Sequence, residues 1–264
     1  MAKPLLKLFL IVISFFAIWF LLSRIDWMEV LEINKKTDKT EEKIGELYIE
    51  LMQKNEKIVK TDSLRQPIID IIDQIKEAND LEIDVKLLVI DKDDINAFAI
   101  PDDNLILYTG LIEECQSPEE LAGILGHEIA HMKENHVMKK LVKEVGLSVI
   151  LSMTSGGNGT VIQETFKSLT SSAYDRSLES EADQLSVEYL QNADIDSRPF
   201  AEFLFRLSLD EDERLSQLQL MNSHPASEER AKSILENQLF DEGSLRPLMS
   251  VEKWNALKAN FINQ

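Results

Sequence analysis

The stretch SPEELAGILGHEIAH, residues 117–131, carries the two histidines around which this chain is organised. His127 and His131 are four residues apart, and on a helix such side chains differ by only about 40° in azimuth. Both imidazoles can therefore reach one zinc ion. Glu128 follows the first histidine, where its carboxylate can hold a water molecule and accept its proton while zinc lowers the pKa of that water.

The residues around this pattern favour a buried helix. Ser117, Pro118 and Glu120 form a capping box with proline in the first helical position, so we expect a helix that starts here and runs to about Lys140. Small and apolar residues at 122–126 directly precede the first histidine, which predicts that this face is buried. The alternative is a structural histidine pair or a salt-bridged surface face.

A catalytic zinc site needs a third protein ligand. Glu179 is the better candidate because Glu179 and Asp183 share one helix face. One of these carboxylates can bind zinc while the other hydrogen-bonds a ligand imidazole. Glu181 is the rival ligand, but it lies about 160° away from Asp183 around the helix. The alternative for this motif is a solvated acidic face, which is common in so acidic a protein.

His136 is the other histidine near the motif. The metzincin pattern places a third zinc-binding histidine ten residues after the first, but Val137 holds that position here, and Glu134 stands where the pattern needs glycine. In a continuous helix, a residue nine positions after His127 lies about 180° away from it. We therefore expect His136 to point away from the metal.

A small sheet is predicted just before the motif. Residues 85–90 and 105–109 are short aliphatic runs, and residues 96–100 lie between them. Tight turns at 91–94 and 101–104 would join three short strands. Apolar residues spaced by three and four predict several packing helices, over residues 41–59, 68–78, 161–171, 175–191, 198–219 and 227–237. The fold class that we expect is α+β and mainly helical. The small sheet would lie beside the helix that carries His127, Glu128 and His131, which form an H-E-x-x-H motif.

The stretch between the predicted helices is less regular. Residues 145–153 are apolar, and residues 154–160 are rich in glycine and small polar side chains. We interpret this region as a helical hairpin tip or a lid, with a second membrane contact as the alternative.

The N-terminus predicts a membrane anchor. Residues 8–22 carry no charge and are mostly large and apolar, which at about 1.5 Å per residue approaches the thickness of a bilayer core. Lys3 and Lys7 precede them, so we expect the N-terminus inside and the bulk outside the cytoplasm. The alternatives are a cleaved signal peptide and a buried helix. The expected organisation is an anchor over residues 1–24, a linker over 25–40 and a catalytic domain over 41–264.

Charge and cysteine content exclude several classes. The net charge is −19, and since residues 1–24 are basic, residues 25–264 carry 25 basic and 47 acidic side chains. That part should repel nucleic acid and anionic headgroups, so no nucleic-acid partner is expected. Cys115 is the single cysteine, which excludes an intramolecular disulfide and a cysteine-based zinc site.

The ordered set of motifs resembles the gluzincin metallopeptidases, the family that includes HtpX, BepA and the CAAX prenyl endopeptidases. The likeness covers most of residues 41–230. It rests on the segment 96–99, the H-E-x-x-H motif, the arginine and two acids at 176, 179 and 183, and His224-Pro225 followed by Arg230.

The resemblance implies a zincin-like catalytic domain that binds one zinc ion per chain. The residues it implies are zinc ligands His127, His131 and Glu179, the general base Glu128, and Asp183 in support. His224 and Arg230 match an H-P-x-x-x-x-R element that lies near the metal in the family, where the histidine either donates to the oxyanion or caps the zinc. The alternative is that His224 is only a loop histidine. The strand Leu105, Ile106, Leu107 and Tyr108 would be the sheet edge that pairs with an extended substrate.

The expected function is that of a membrane-anchored zinc metalloendopeptidase acting in envelope protein quality control. Its substrates would be misfolded or membrane-associated proteins, on the periplasmic side of the membrane. A single apolar span, in place of the multi-span body of prenyl endopeptidases, favours such proteins over prenylated tails. The alternatives are a zinc-bound latent or chaperone-like module with little proteolysis, and an acidic scaffold without metal.

Overall fold

A computed structural model of the chain describes residues 33–156, 159–209, 219–225, 228–236 and 247–262. The chain divides into two units, residues 1–40 and residues 41–264. The first unit is described only over residues 33–40, which are helical. The second unit contains the sheet and the remaining helices, and is mainly helical as predicted.

Helices α1 and α2 precede the sheet, and cover Ile33–Asn55 and Asp62–Ala78. The helices that follow the sheet are α3 (Thr109–Glu114), α4 (Pro118–Lys133), α5 (His136–Val145), α6 (Leu147–Thr154), α7 (Gly159–Ser171), α8 (Arg176–Asn192), α9 (Arg198–Leu209), α10 (Gln219–Ser223), α11 (Glu228–Glu236) and α12 (Val251–Ile262).

The sheet has three strands, β1 (Lys86–Ile90), β2 (Ala97–Ile100) and β3 (Asn104–Tyr108), in the order β1-β3-β2. β1 runs parallel to β3, whereas β2 runs antiparallel to it. The prediction of three strands in these places is confirmed. The prediction that Leu105, Ile106, Leu107 and Tyr108 form a free edge is wrong, because β3 is the central strand and its backbone is paired on both sides. The edge beside helix α4 is β2.

Helix α4 begins as the capping box predicts. The Ser117 side chain accepts a hydrogen bond from the Glu120 N–H, with Pro118 in the first turn. Glu120 is buried and bound by two nitrogen atoms of Arg206, at 2.9 and 2.8 Å. This ion pair ties the start of α4 to helix α9 and fixes the direction in which the helix enters the core.

Helices α4 and α8 pack closely where the functional side chains lie. A Cβ atom added at Gly126 would stand 2.9 Å from the Ser186 hydroxyl oxygen. The same hydroxyl donates to the Gly123 carbonyl at 2.9 Å. Glycine in α4 therefore permits the approach that brings the histidines of one helix to the acids of the other.

Two helix boundaries and one helix near the C-terminus differ from the sequence-based expectations. Helix α1 begins at Ile33, eight residues before the start that the sequence predicts at residue 41. Helix α4 ends at Lys133 instead of continuing to about Lys140, because Asn135 adopts the left-handed conformation with φ 56°. Helix α12 was not predicted, although Trp254, Leu257 and Phe261 form a buried stripe along it.

The predicted membrane anchor, residues 1–24, lies outside the described residues. Among the residues that the structure does describe, no helix has both the length and the apolar character needed to cross a membrane. The apolar stretch at 145–153 falls mainly within helix α6, where Ile150 and Met153 are buried while Leu147 and Leu151 are exposed.

Candidate active site

Four buried side chains from three parts of the fold converge on one point. His127 and His131 come from α4, Glu179 from α8, and His224 follows the end of α10. One potential ligand atom from each lies within 4.8 Å of all the others. Glu181, the rival for the third ligand, is half exposed and lies outside this group.

The spacing of these atoms suits a zinc ion. Zinc bonded tetrahedrally to nitrogen and oxygen at 2.0–2.1 Å places its ligand atoms about 3.3 Å apart. Here His127 Nε2 lies 3.0 Å from His131 Nε2 and 3.2 Å from His224 Nδ1. Glu179 contributes Oε1, 3.3 Å from His131 Nε2, and Oε2, 3.7 Å from His127 Nε2. Imidazole and carboxylate donors in this number fit zinc.

Asp183 supports one of the histidines. Its Oδ1 atom lies 3.0 Å from His127 Nδ1, and a carboxylate in this place favours the tautomer that carries its hydrogen atom on Nδ1 and leaves Nε2 for a metal. Asp183 and Glu179 are separated by one helical turn, which is the shared face that the sequence predicts. Glu179 therefore lies among the potential ligands and Asp183 lies behind His127, while their functions as zinc ligand and supporting carboxylate stay predictions.

Arg230 binds both carboxylates. Its Nε and Nη2 atoms donate to the two oxygens of Asp183 at 2.7 Å, and Nη1 lies 2.7 Å from Glu179 Oε2. The same Nη1 donates to the Pro225 carbonyl at 2.9 Å, which links the arginine to the loop that carries His224. The structure therefore places Arg230, predicted as a catalytic residue, against the two acids, and its catalytic contribution stays a prediction.

Burial and neighbouring charges set the protonation states. Burial lowers the pKa of His131 well below its ordinary value, which favours the neutral, metal-binding form. Burial alone would raise the pKa of Glu179, but the proximity of His224 and hydrogen bonds from His131 and His224 hold that pKa far below its usual range. Burial alone would lower the pKa of His127, but Asp183 and Glu179 outweigh it and the pKa is raised.

Glu128 joins the sheet to the cluster. Its Oε2 atom accepts a hydrogen bond from the backbone N–H of Ala99 in β2, at 2.9 Å. Its Oε1 atom is buried, has no hydrogen-bond partner among the described residues, and lies 3.4 Å from His224 Nε2. One oxygen is therefore fixed, and the other is available beside the ligand atoms to exchange a proton.

His224 lies inside the cluster. Its Nδ1 atom is 2.9 Å from Glu179 Oε1, and its backbone N–H donates to the Leu220 carbonyl at 2.8 Å. The histidine is buried rather than a surface loop residue. Its position supplies a fourth donor atom at the place where a catalytic zinc would keep an open coordination position.

Tyr174 is a site residue that sequence reasoning missed. Its ring stacks on His131, with centroids 4.2 Å apart and an interplanar angle of 28°, and lies 5.1 Å from the His224 ring. Lys140 is buried, and its ammonium nitrogen lies 4.0 Å from the centroid of the Tyr174 ring. The tyrosine lies in a short connection between α7 and α8, where hydrophobic periodicity gives no signal.

His136 does not point away from the site, as a continuous helix would require. Its Nδ1 atom lies 3.0 Å from His131 Nδ1, and the residue is fully buried. It is nevertheless outside the four-residue group of potential ligands. The expectation that it does not bind the metal agrees with this geometry, whereas the expected direction of its side chain was wrong.

Comparisons with known proteins place this geometry in a sequence context. The sequence profile of peptidase family M48 matches residues 60–238. The chain is 26% identical over 207 residues to a beta-barrel assembly-enhancing protease of Yersinia pestis, covering 71% of this chain and 41% of the relative. It is 27% identical over 155 residues to the metalloprotease LoiP of Escherichia coli, covering 56% of this chain and 60% of the relative.

A third relative comes from mitochondria. The metalloendopeptidase OMA1 of Bos taurus is 27% identical over 203 residues, which cover 69% of this chain and 38% of that protein. The chain thus spans about two fifths of the length of most of these curated relatives. The described cluster lies within the matched region, so the comparison bears on the site itself.

Proposed function

The chain belongs to peptidase family M48, and we propose that it is a zinc-dependent metalloendopeptidase that hydrolyses internal peptide bonds of proteins. The observation that carries the proposal is the position of Glu128. One of its carboxylate oxygens is fixed by Ala99, and the other is buried beside the four potential ligands. A general base needs such a place within reach of a metal-activated water.

His127, His131 and Glu179 would hold the zinc. The chemistry that zinc supplies in such a site is a lowered pKa of the attacking water and polarisation of the scissile carbonyl. Glu128 Oε1 accepts the proton of that water as the water oxygen attacks the carbonyl carbon. The same carboxyl group then donates this proton to the amide nitrogen as the scissile C–N bond breaks, so the amine leaves and Glu128 is again ionised.

The edge of β2 is the proposed site of substrate pairing. Asn96 accepts a hydrogen bond from the Tyr108 N–H, and the Ala99 N–H donates to Glu128 instead of to β3. Because hydrogen bonds alternate along an antiparallel pair, the backbone groups of Ala97 and Ala99 are directed away from β3. The Ala99 N–H is already bound to Glu128, so an extended peptide that adds to this edge would pair with the other outward backbone groups, among them those of Ala97, and would bring a scissile bond next to the general base.

The proposed substrates are misfolded or membrane-associated proteins, and the proposed setting is envelope quality control. We place the catalytic domain outside the cytoplasm, anchored by residues 1–24, because that segment is basic at its start and then apolar. The names of two matched relatives, beta-barrel assembly-enhancing proteases, support a connection with beta-barrel assembly. The strongly acidic domain argues against nucleic acid as a partner.

A second candidate function is that of a zinc-bound latent module that binds proteins and cleaves them slowly. The observation that favours it is His224 Nδ1, which lies 3.2 Å from His127 Nε2 and 2.9 Å from Glu179 Oε1. A fourth protein ligand would close the coordination position that a catalytic zinc needs.

Incubation of the full chain with one globular disulfide protein, in its native and its reduced, alkylated form, tests the substrate proposal. We expect cleavage of the unfolded form at internal sites, identified by mass spectrometry, and no cleavage by Glu128→Gln. Equal cleavage of both forms would contradict the preference for misfolded proteins, and release of terminal residues alone would contradict endopeptidase activity.

Extraction of membranes with carbonate tests the proposed anchor. We expect the full chain to resist extraction, and we expect deletion of residues 1–24 to abolish that resistance.

A further inference from the structure

Helix α4 is interrupted directly after the zinc-binding motif. It ends at Lys133, and Asn135 has φ 56° and ψ 28°, which is the left-handed conformation. Helix α5 then starts at His136. In an uninterrupted helix, His136 would stand about 140° around the axis from His131. The break turns the chain so that the two rings meet.

The contact between these rings requires a defined proton. His136 Nδ1 lies 3.0 Å from His131 Nδ1, and the ring centroids are 5.0 Å apart. Two nitrogens at this distance attract each other only when one carries a hydrogen atom. If His131 binds a metal through Nε2, its hydrogen atom is on Nδ1 and is donated to His136. The hydrogen atom of His136 is then on Nε2, which lies 3.4 Å from Glu181 Oε2.

The same arrangement exists on the other histidine of the motif. His127 has Asp183 at its Nδ1 atom, at 3.0 Å. His131 has no carboxylate there among the described residues, and His136 takes that place. The Nδ1 atom of each imidazole from the motif thus has a different neighbour, the carboxylate of Asp183 for His127 and the imidazole of His136 for His131.

We propose that His136 is a positioning residue that fixes the ring orientation and the tautomer of His131. The left-handed conformation of Asn135 brings the His136 ring to this position. The proposal rests on the zinc site of the proposed function and extends it to residues behind that site. Mutation of a residue that hydrogen-bonds a metal ligand commonly lowers metal affinity by about 10- to 100-fold.

A different use of His136, as a metal ligand, does not fit the contact. Its Nδ1 atom faces the Nδ1 atom of His131, whereas the Nε2 atom of His131 faces His127 and Glu179. His136 therefore stands behind His131, on the side away from the ligand atoms. It acts on the metal only through the ring that it orients.

Zinc affinity of the full chain, measured by competition with a fluorescent chelator, tests the proposal. His136→Leu removes the acceptor at similar size, and His136→Asn keeps an oxygen where Nδ1 stands. We expect the zinc dissociation constant to rise about 10- to 100-fold in His136→Leu and most of that loss to be recovered in His136→Asn. At Asn135, glycine should preserve affinity and valine should weaken it, because only glycine accepts a positive φ without strain.

Thermal unfolding with and without zinc separates positioning from a purely structural function. A positioning residue changes the increase in midpoint temperature on zinc addition, whereas a structural one lowers both midpoints equally. Unchanged zinc affinity in His136→Leu, or equal loss in His136→Leu and His136→Asn, would overturn the proposal while leaving the proposed function intact. Absence of zinc binding by the wild-type chain would overturn both.

Discussion

The Nδ1 atom of His224 lies 2.9 Å from Glu179 Oε1. This contact places a histidine from beyond α10 against the carboxylate of α8, within the group of potential zinc ligands. His224 therefore has a position from which it can close the site, and the consequence can be measured.

Removal of the His224 side chain should open the site. We expect His224→Ala to keep bound zinc at somewhat lower affinity, since three protein ligands remain, and to cleave an unfolded protein several-fold faster than wild type. Turnover and zinc content measured on the same preparation check this. A fall in turnover of about 100-fold with zinc retained would instead identify His224 as an oxyanion donor.

Replacement of the third ligand should remove the metal. Glu179→Gln eliminates the negative charge that faces three imidazoles and Arg230, so we expect loss of bound zinc and of proteolysis. Elemental analysis after dialysis checks the metal content. Glu188→Gln, an exposed change on the same helix, is the matched control and should bind zinc normally. Full zinc occupancy in Glu179→Gln would show that another residue serves as the ligand.

The metal-free protein should lose stability in acid through Asp183. Burial alone would raise the pKa of Asp183, but hydrogen bonds from Arg230 and His127 outweigh it and leave the pKa lowered. Because the folded-state pKa is below the unfolded value of about 3.9, the stabilisation is complete above that value and disappears as the pH falls through the folded pKa.

Arg230→Gln should therefore move acid unfolding to higher pH. Without the guanidinium, the pKa of Asp183 rises, and we expect the acid midpoint of the metal-free chain to increase by about one pH unit. Circular dichroism during acid titration measures it. Arg198→Gln, which breaks the more exposed pair with Asp196, is the control and should shift the midpoint less. Equal shifts in both variants would contradict the special importance of Arg230.

Loss of the Ala99 N–H should affect catalysis but not metal binding. Proline at 99 removes the donor to Glu128 without removing a hydrogen bond to β3. We expect turnover to fall by about 100-fold, as for a displaced catalytic group, with zinc affinity unchanged. Phe98→Pro, whose N–H is directed at β3, should instead destabilise the fold. Normal turnover in Ala99→Pro would show that Glu128 needs no contact with the sheet.

Helical periodicity explains which parts of the site the sequence predicts. The spacing of His127 from His131, and of Glu179 from Asp183, is a property of a single helix, so each pair can be assigned to one face from the sequence. The resemblance to a family adds the prediction that the two pairs, on different helices, meet at one zinc ion. The structure brings both pairs and His224 together around one point.

Non-local pairing and single backbone conformations explain what the sequence does not predict. The order of the strands depends on how β1 crosses to β3, and no local pattern shows that β3 is central. The break at Asn135 depends on one residue in the left-handed conformation, which asparagine accepts more readily than most residues. That asparagine was an available signal, and it decides where His136 lies.

If Glu128 is the general base of a zinc metalloendopeptidase, Glu128→Gln should keep the metal and lose the activity. Zinc content and cleavage of casein are measured on the full chain and on this variant. We expect about one zinc per chain in each, with cleavage in the wild type and none in the variant. Cleavage by Glu128→Gln at the wild-type rate, or no zinc in the wild-type chain, would contradict it.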